Sequence, residues 1–276
     1  MKIIDSFIFY NEFDLLNYRL SILNDFVDYF ILVESTHTFT GHQKKLFYNE
    51  NKKIFDKFNH KIIHIIVDNI PYKYPNINYQ QNDQWQNEYF QRNCISKGIN
   101  QIKDILIDED IILTSDVDEI PDPKILFKVK NNKLIFDKNN LNKLSLDMYY
   151  YNLNLRLGDG QNWHGIKLIT WYSYNKINLS FQQMRIWEHS HNVPIIPYGG
   201  WHLSYFGDIN FIINKIKGFS HQEYNNNKYI NKEILEKKIK NGINFIGGLK
   251  LQKIKVKDNT NLPPQYEIYL KDYYIE

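Results

Sequence analysis

An apolar, β-rich run that ends abruptly in three acids and a proline occupies Ile111-Ile112-Leu113-Thr114-Ser115-Asp116-Val117-Asp118-Glu119-Ile120-Pro121. A short continuous apolar run of this kind reads as a parallel strand buried on both faces. Ligands in open α/β sheets bind beyond the carboxyl ends of such strands. Two aspartates at i and i+2 at that edge, Asp116 and Asp118, can reach one divalent cation through oxygen ligands, leaving open positions for substrate phosphates. The plainer alternative is that the acids end the strand and cap a helix beginning at Asp122-Pro123. The chain has 19 Asp, so about one Asp-x-Asp is expected from composition alone. Asp108-Glu109-Asp110 is a second copy, but it precedes the strand and reads as a solvated turn.

Working outward, the strand closes a regular series. Lys2 to Tyr10 is an apolar strand, and Asn11-Glu12-Phe13-Asp14 opens a helix with Leu15, Leu16, Leu20, Leu23 and Phe26 at helical spacing. Val27 to Glu34 is a second strand, residues 51–58 a helix, and Lys61 to Val67 a third strand. Residues 68–83, with Pro71 and Pro75, form an irregular connection. Gln84 to Lys103 is a long helical pattern whose apolar face is Trp85, Tyr89, Ile95, Ile99 and Ile102. Alternating strands and helices argue for an α/β fold: a mostly parallel central sheet flanked by helices. No Gly-x-Gly-x-x-Gly follows the first strand, which disfavours a dinucleotide-binding fold.

The pattern changes past residue 140 into an irregular, Tyr-rich C-terminal half. Leu144 to Leu155 and Ile166 to Tyr174 read as strands. The Gly-bearing segment 157–165 between them is either a hairpin connection or a loop over substrate. Gly199-Gly200-Trp201-His202 suggests a close approach of backbone to ligand. Residues 211–219 and 231–240 are helical patterns, and the charged tail from Lys250 wraps the outside.

The bulk composition narrows the classes. The chain has 276 residues, 43% hydrophobic and 16% aromatic, so it can bury a sizeable core and is not disordered. A net charge of +3 without a dense basic cluster argues against a nucleic-acid groove. The single cysteine, Cys94, excludes an internal disulfide framework and a cysteine-built metal site; within its helical pattern it reads as a buried small apolar residue. Asp5 interrupts the first apolar run, so no signal peptide is expected, and no 18-residue apolar stretch offers a membrane span. The expectation is a cytoplasmic protein, held at a membrane only by a partner or a surface patch. The abundance of Ile, Asn and Lys suggests an AT-rich, bacterial or viral genome.

Four segments, in order, resemble glycosyltransferase family 17, whose best-known members add the bisecting β-1,4-linked N-acetylglucosamine to the core mannose of N-glycans. They are Phe9-Tyr10-Asn11-Glu12-Phe13-Asp14-Leu15-Leu16 with Arg19-Leu20; Val27 to Ser35; Ser115-Asp116-Val117-Asp118-Glu119-Ile120-Pro121; and Gly200-Trp201-His202-Leu203-Ser204. Glu88 with Gln91-Arg92-Asn93, and Phe219-Ser220-His221-Gln222-Glu223, resemble bacterial-type members. The likeness runs from about residue 3 to 248 and is loose over 125–195. Set beside the animal enzymes, the chain is expected to lack their transmembrane anchor and luminal stem, and its single cysteine does not match their cysteines.

The resemblance implies one GT-A-like domain over 1–248, with 1–122 as the nucleotide-binding half and 123–248 as the acceptor half. Residues 249–276 would be a tail packing on it. It implies an inverting, metal-dependent glycosyltransferase that moves N-acetylglucosamine from UDP-GlcNAc in β-linkage to a glycan acceptor of glycoprotein, lipopolysaccharide or capsule type. Mn²⁺ or Mg²⁺ would be held by Asp116, Asp118 and His202. His202 could instead donate to phosphate, or be a buried histidine beside Trp201. Asn11, Glu12 and Glu34 would meet uridine and ribose, with Asp116 on the same side. Arg92 would pair with phosphate or with an acid. The general base would be Glu223, Glu188 or Asp147, with Glu223 favoured by its surrounding motif. Two other readings stay open: a nucleotidyltransferase, which would release pyrophosphate, and a non-catalytic carbohydrate-binding protein using Trp163, Trp171, Trp187 and Trp201.

Overall fold

In a computed structural model, residues 1–158, 161–187 and 191–275 are described. Their strands are β1 (Ile3–Phe9), β2 (Tyr29–Ser35), β3 (Ile62–Val67), β4 (Ile111–Asp116), β5 (Glu119–Pro121), β6 (Asn142–Tyr150), β7 (Leu155–Arg156), β8 (Lys167–Thr170), β9 (Ile195–Ser204) and β10 (Gln252–Lys253). The helices are α1 (Phe13–Leu23), α2 (Phe47–Glu50), α3 (Asp83–Asn93), α4 (Ile95–Ile102), α5 (Pro123–Lys130), α6 (Trp171–Ile177), α7 (Phe181–Ile186), α8 (Ile209–Gly218), α9 (Asn227–Ile230), α10 (Lys232–Asn241) and α11 (Tyr266–Tyr269).

The fold is mixed α/β, with one large sheet flanked by helices. Its first half is parallel, in the order β3-β2-β1-β4. All seven residues of β1 are buried, and alternate side chains serve opposite layers, because the strand period is two. Ile3, Phe7 and Phe9 pack with Leu16 and Leu20 of α1. Ile4 and Ile8 pack on the other face with Ile95 and Ile99 of α4. β2 and β4 lie on either side of β1, so the strand order reverses there and a crevice opens beyond the ends of β1 and β4.

The sheet as a whole is mixed, its longest pairings parallel and its short ones antiparallel. β8 runs antiparallel to β4 and β6, β7 to β6, β10 to β7 and β5 to β9, while β9 returns parallel to β6. Short connections in the Tyr-rich half permit antiparallel neighbours, whereas parallel pairing needs a long crossover. Other local expectations also change. The helix expected over 51–58 is a 3₁₀ segment, Lys52–Phe58, which follows the short α2. The strand expected to reach Tyr174 stops at Thr170, whose hydroxyl accepts from the Ser173 N–H at 3.1 Å and starts α6. That cap outweighs the β propensity of Trp171 and Tyr172. The second acidic copy is not wholly solvated: Asp110 is buried and accepts from the Lys2 and Ile107 N–H groups.

Gly200 is required where β5 meets β9. Its φ is +146°, and a Cβ there would lie 2.1 Å from the Ile120 carbonyl oxygen. The close approach expected at Gly199-Gly200 is therefore to a neighbouring strand, not to a ligand. Beyond residue 249, Val256 and Leu270 join the core around β1 and α1, and Pro264 accepts a hydrogen bond from the Tyr18 hydroxyl.

Candidate active site

The acidic turn is held from below by α1. Arg19, fully buried, makes a two-point contact with Asp5 of β1 at 2.7 and 2.5 Å. Its remaining N–H groups donate to the carbonyls of Asp116 at 3.0 Å and Glu119 at 2.6 Å and to the Ser115 hydroxyl at 2.7 Å. One guanidinium thus sets the path of residues 115–119, using the fork of donors that only arginine offers.

Above that turn the acids meet cations from distant elements. Asp116 receives Arg92 of α3 at 2.5 Å on one oxygen and Arg185 of α7 at 3.0 Å on the other. Arg92 also binds Glu88 at 2.7 Å and Gln182 at 3.0 Å, so it pairs with acids. Glu119 takes both nitrogens of Arg185 at 2.7 Å and the Trp163 indole N–H. Asp118 faces Lys215 of α8 at 2.9 Å and His202 Nε2 of β9 at 3.7 Å. Lys215 also reaches Glu12 at 3.1 Å.

These contacts fix charge states. Burial alone would push the Glu119 carboxyl up; Arg185 overrides it and holds the group at about 2. Asp116 and Asp118 are likewise held low, against burial, by Arg92 with Arg185 and by Lys215 with His202. Lys215 is held high against burial by Asp118 and Glu12. The Glu119 carboxyl, near 4.5 when unfolded, contributes stability that is complete above that pH and lost as pH falls toward 2. Thermal melts of the wild type should therefore decline between about pH 4.5 and 2. In Arg185→Met, burial is no longer opposed, and the decline should start at a higher pH. The same acid limb in both proteins would remove Arg185 as the group that holds Glu119.

The site opens into a cleft of about 1190 Å³. It is lined by the aromatic side chains of Tyr10, Phe39, Trp85, Tyr89 and Trp163 and by the charged or polar ones of Glu12, Asp116, Asp118, Arg185, His202 and Lys215. Trp85 and Tyr89 line this cleft; Ile95, Ile99 and Ile102 of the same expected apolar face are core. Lys44 also lines it, and burial pushes its amine down to about 8 despite Glu34 and Glu12.

The expected site residues do not all gather here. Glu34 is fully buried and accepts from the Tyr48 and Asn49 N–H groups at the start of α2, at 2.9 and 3.3 Å. It is committed to the fold, so the expectation that it meets a nucleoside is corrected. Asn11 lies at the turn after β1, its side-chain oxygen buried without a partner, while Glu12 lines the cleft. Asp147 is paired with Arg156 at 2.5 Å. The Glu223 side chain is 55% exposed and turned onto His221 Nδ1 at 2.6 Å; His221, not Glu223, lines the cleft. Glu188 lies outside the described residues.

The expected metal trio does not converge: among the described residues no three His, Cys, Asp or Glu side chains form a metal-binding group. Each Asp116 oxygen already accepts from an arginine. Asp118 and His202 fit a cation better: Asp118 Oδ1 and His202 Nε2 lie 3.7 Å apart, and both residues line the cleft. A carboxylate and an imidazole are fitting donors, with substrate phosphate completing the shell. Sequence reasoning missed Arg185, Lys215 and Trp163 as partners of the acids.

A buried acid cluster paired with three cations thus lies at the switch point of an α/β sheet, beside an aromatic-walled cleft. The family model for glycosyltransferase family 17 matches residues 1–251, and the chain belongs to that family. The rat β-1,4-mannosyl-glycoprotein 4-β-N-acetylglucosaminyltransferase is 28% identical over 123 residues, 44% of this chain and 22% of that protein. Its human counterpart is 30% identical over 114 residues, 40% of this chain and 20% of that protein. The match thus spans about a fifth of these relatives' length. A crystal structure of a glycosyltransferase involved in glycosylation of the major capsid of PBCV-1 is 9% identical, with a TM-score of 0.30 over 71% of this chain and 81% of that one. Among the described residues no helix is long and apolar enough to cross a membrane.

Proposed function

We propose that this chain is an inverting, metal-dependent glycosyltransferase of GT-A type. Its donor is a UDP-sugar, UDP-N-acetylglucosamine, and its product a β-linked glycan. The observation that carries the reading is the pairing of Asp118 with His202 and Lys215 in the cleft beyond β1 and β4. Tyr10, Phe39 and Trp85, which line the cleft, would supply flat walls for a nucleobase, and Trp163, which lines it too, a face for a sugar ring. Asp118 and His202 would hold Mn²⁺ or Mg²⁺, whose contribution when bound is Lewis-acid neutralisation of the leaving diphosphate. Lys215 and Arg185 present further positive charge to the same cleft, preorganised where the leaving group gains charge. Of the carboxylates expected to act as base, Glu223 stays in the reading through His221, which it orients toward the cleft. The acceptor hydroxyl would attack opposite the diphosphate in one displacement, which inverts the anomeric centre.

The test is a calorimetric titration with nucleoside diphosphates, followed by a nucleotide-sugar screen and product NMR. UDP should bind in a Mn²⁺- or Mg²⁺-dependent way, and the new linkage should be β. Equal affinity for all nucleoside diphosphates overturns the donor assignment. An α-linkage overturns inversion, and pyrophosphate release identifies a nucleotidyltransferase instead.

A further inference from the structure

Lys215 is an unusual occupant for a cation site. It arises from α8, whose first turn is capped by Asp208. Its ammonium lies 2.9 Å from Asp118, 3.1 Å from Glu12 and 5.5 Å from the Tyr205 ring centre. The side chain is only 17% exposed. Asp118 is the one acid of the Asp-x-Asp pair that also faces His202, and so the one able to join a cation site. The carboxylate a divalent cation would use is therefore already neutralised by an internal monovalent one. A lysine is suited to this double use. Its charge is a point on a flexible stem with three rotatable donors, unlike the planar guanidiniums that fix Asp116.

We propose that Lys215 is an exchangeable counter-ion that is handed from Asp118 to the donor's diphosphate when donor and divalent cation enter the cleft together. This rests on the donor and cation reading above and goes beyond it. Without donor, the ammonium competes with the cation for Asp118 and keeps cation affinity low. With donor, the diphosphate offers Lys215 a more highly charged partner, and Asp118 is released to the cation. The two ligands then favour one another's binding, each by the same factor. Lys215 touches the leaving diphosphate in this scheme, and Glu12 is its second resting partner beside Asp118.

The test uses the whole chain and two calorimetric titrations, with Mn²⁺ alone and with UDP in the presence of Mn²⁺. In Lys215→Met, Mn²⁺ alone should bind at least about tenfold more tightly than to the wild type, because its competitor is gone. UDP should bind at least about tenfold more weakly, because the diphosphate has lost a charged partner. Lys215→Gln keeps a polar side chain of similar reach without the charge, and carries the same test if the methionine variant does not fold. Unchanged or weaker Mn²⁺ binding by a folded variant overturns the competition. Unchanged UDP affinity overturns the hand-over and leaves Lys215 as a fixed ion pair. Wild type that binds Mn²⁺ but no nucleoside diphosphate overturns the donor reading, whereas wild type that binds both, with a variant that changes neither, overturns this inference alone.

Discussion

Asp118→Asn should lower sugar transfer by roughly a thousandfold, the scale expected when a preorganised charge contact to the leaving group is lost. The substitution keeps the shape of the side chain while removing the charge that faces both His202 and Lys215. The turn itself should survive: its backbone is held by Arg19, and the Leu203 N–H donates to the main-chain carbonyl of Asp118 at 2.8 Å. Steady-state rates with saturating donor and Mn²⁺, alongside melting curves, decide the matter. A folded variant with near wild-type turnover, with or without a chelator, would take Asp118 out of the chemistry. Asp116→Asn should behave differently. Its loss leaves Arg92 and Arg185 short of an acid, so melting temperature should fall along with activity.

The second large effect is on stability. Arg19→Met leaves Asp5 charged and fully buried with its cation gone. Breaking a buried pair by removing one partner costs about 3–5 kcal/mol, or roughly 6–10 °C in melting temperature for a chain of this size. Adding Asp5→Leu removes the orphaned charge and should recover much of that loss. Activity should not recover with it, because the carbonyls of Asp116 and Glu119 still lack their common donor. If the double variant regains both stability and turnover, Arg19 serves only the ion pair and the acidic turn positions itself.

The strands β1 to β4 were legible because a strand buried on both faces must be apolar along its whole length. Their order of appearance, alternating with helices, points to a parallel sheet without knowledge of any contact. The acidic turn was legible for the same local reason: a strand that ends in acids and proline marks its own edge. The family likeness was legible from four short motifs kept in order, and it holds over residues 1–251. Where a local device opposed propensity the sequence reading failed, as at Thr170, whose cap turns an aromatic, strand-like run into α6.

The roles of the acids are a different matter. Asp116, Asp118 and Glu119 are adjacent in the chain, yet their partners Arg185 and Lys215 lie far along it, on α7 and α8. Glu34 looks like a ligand-facing acid at a strand end, until α2 folds back and gives it two backbone donors. Glu223 sits in a promising motif, but the turn sends His221 to the cleft and Glu223 behind it. Hydrophobic pattern and chain order are carried by neighbours in sequence, so one strand or helix can be read by itself. Whether a buried carboxylate is free, clamped or shared depends on which cation arrives from another layer, and that choice exists only once the layers are packed.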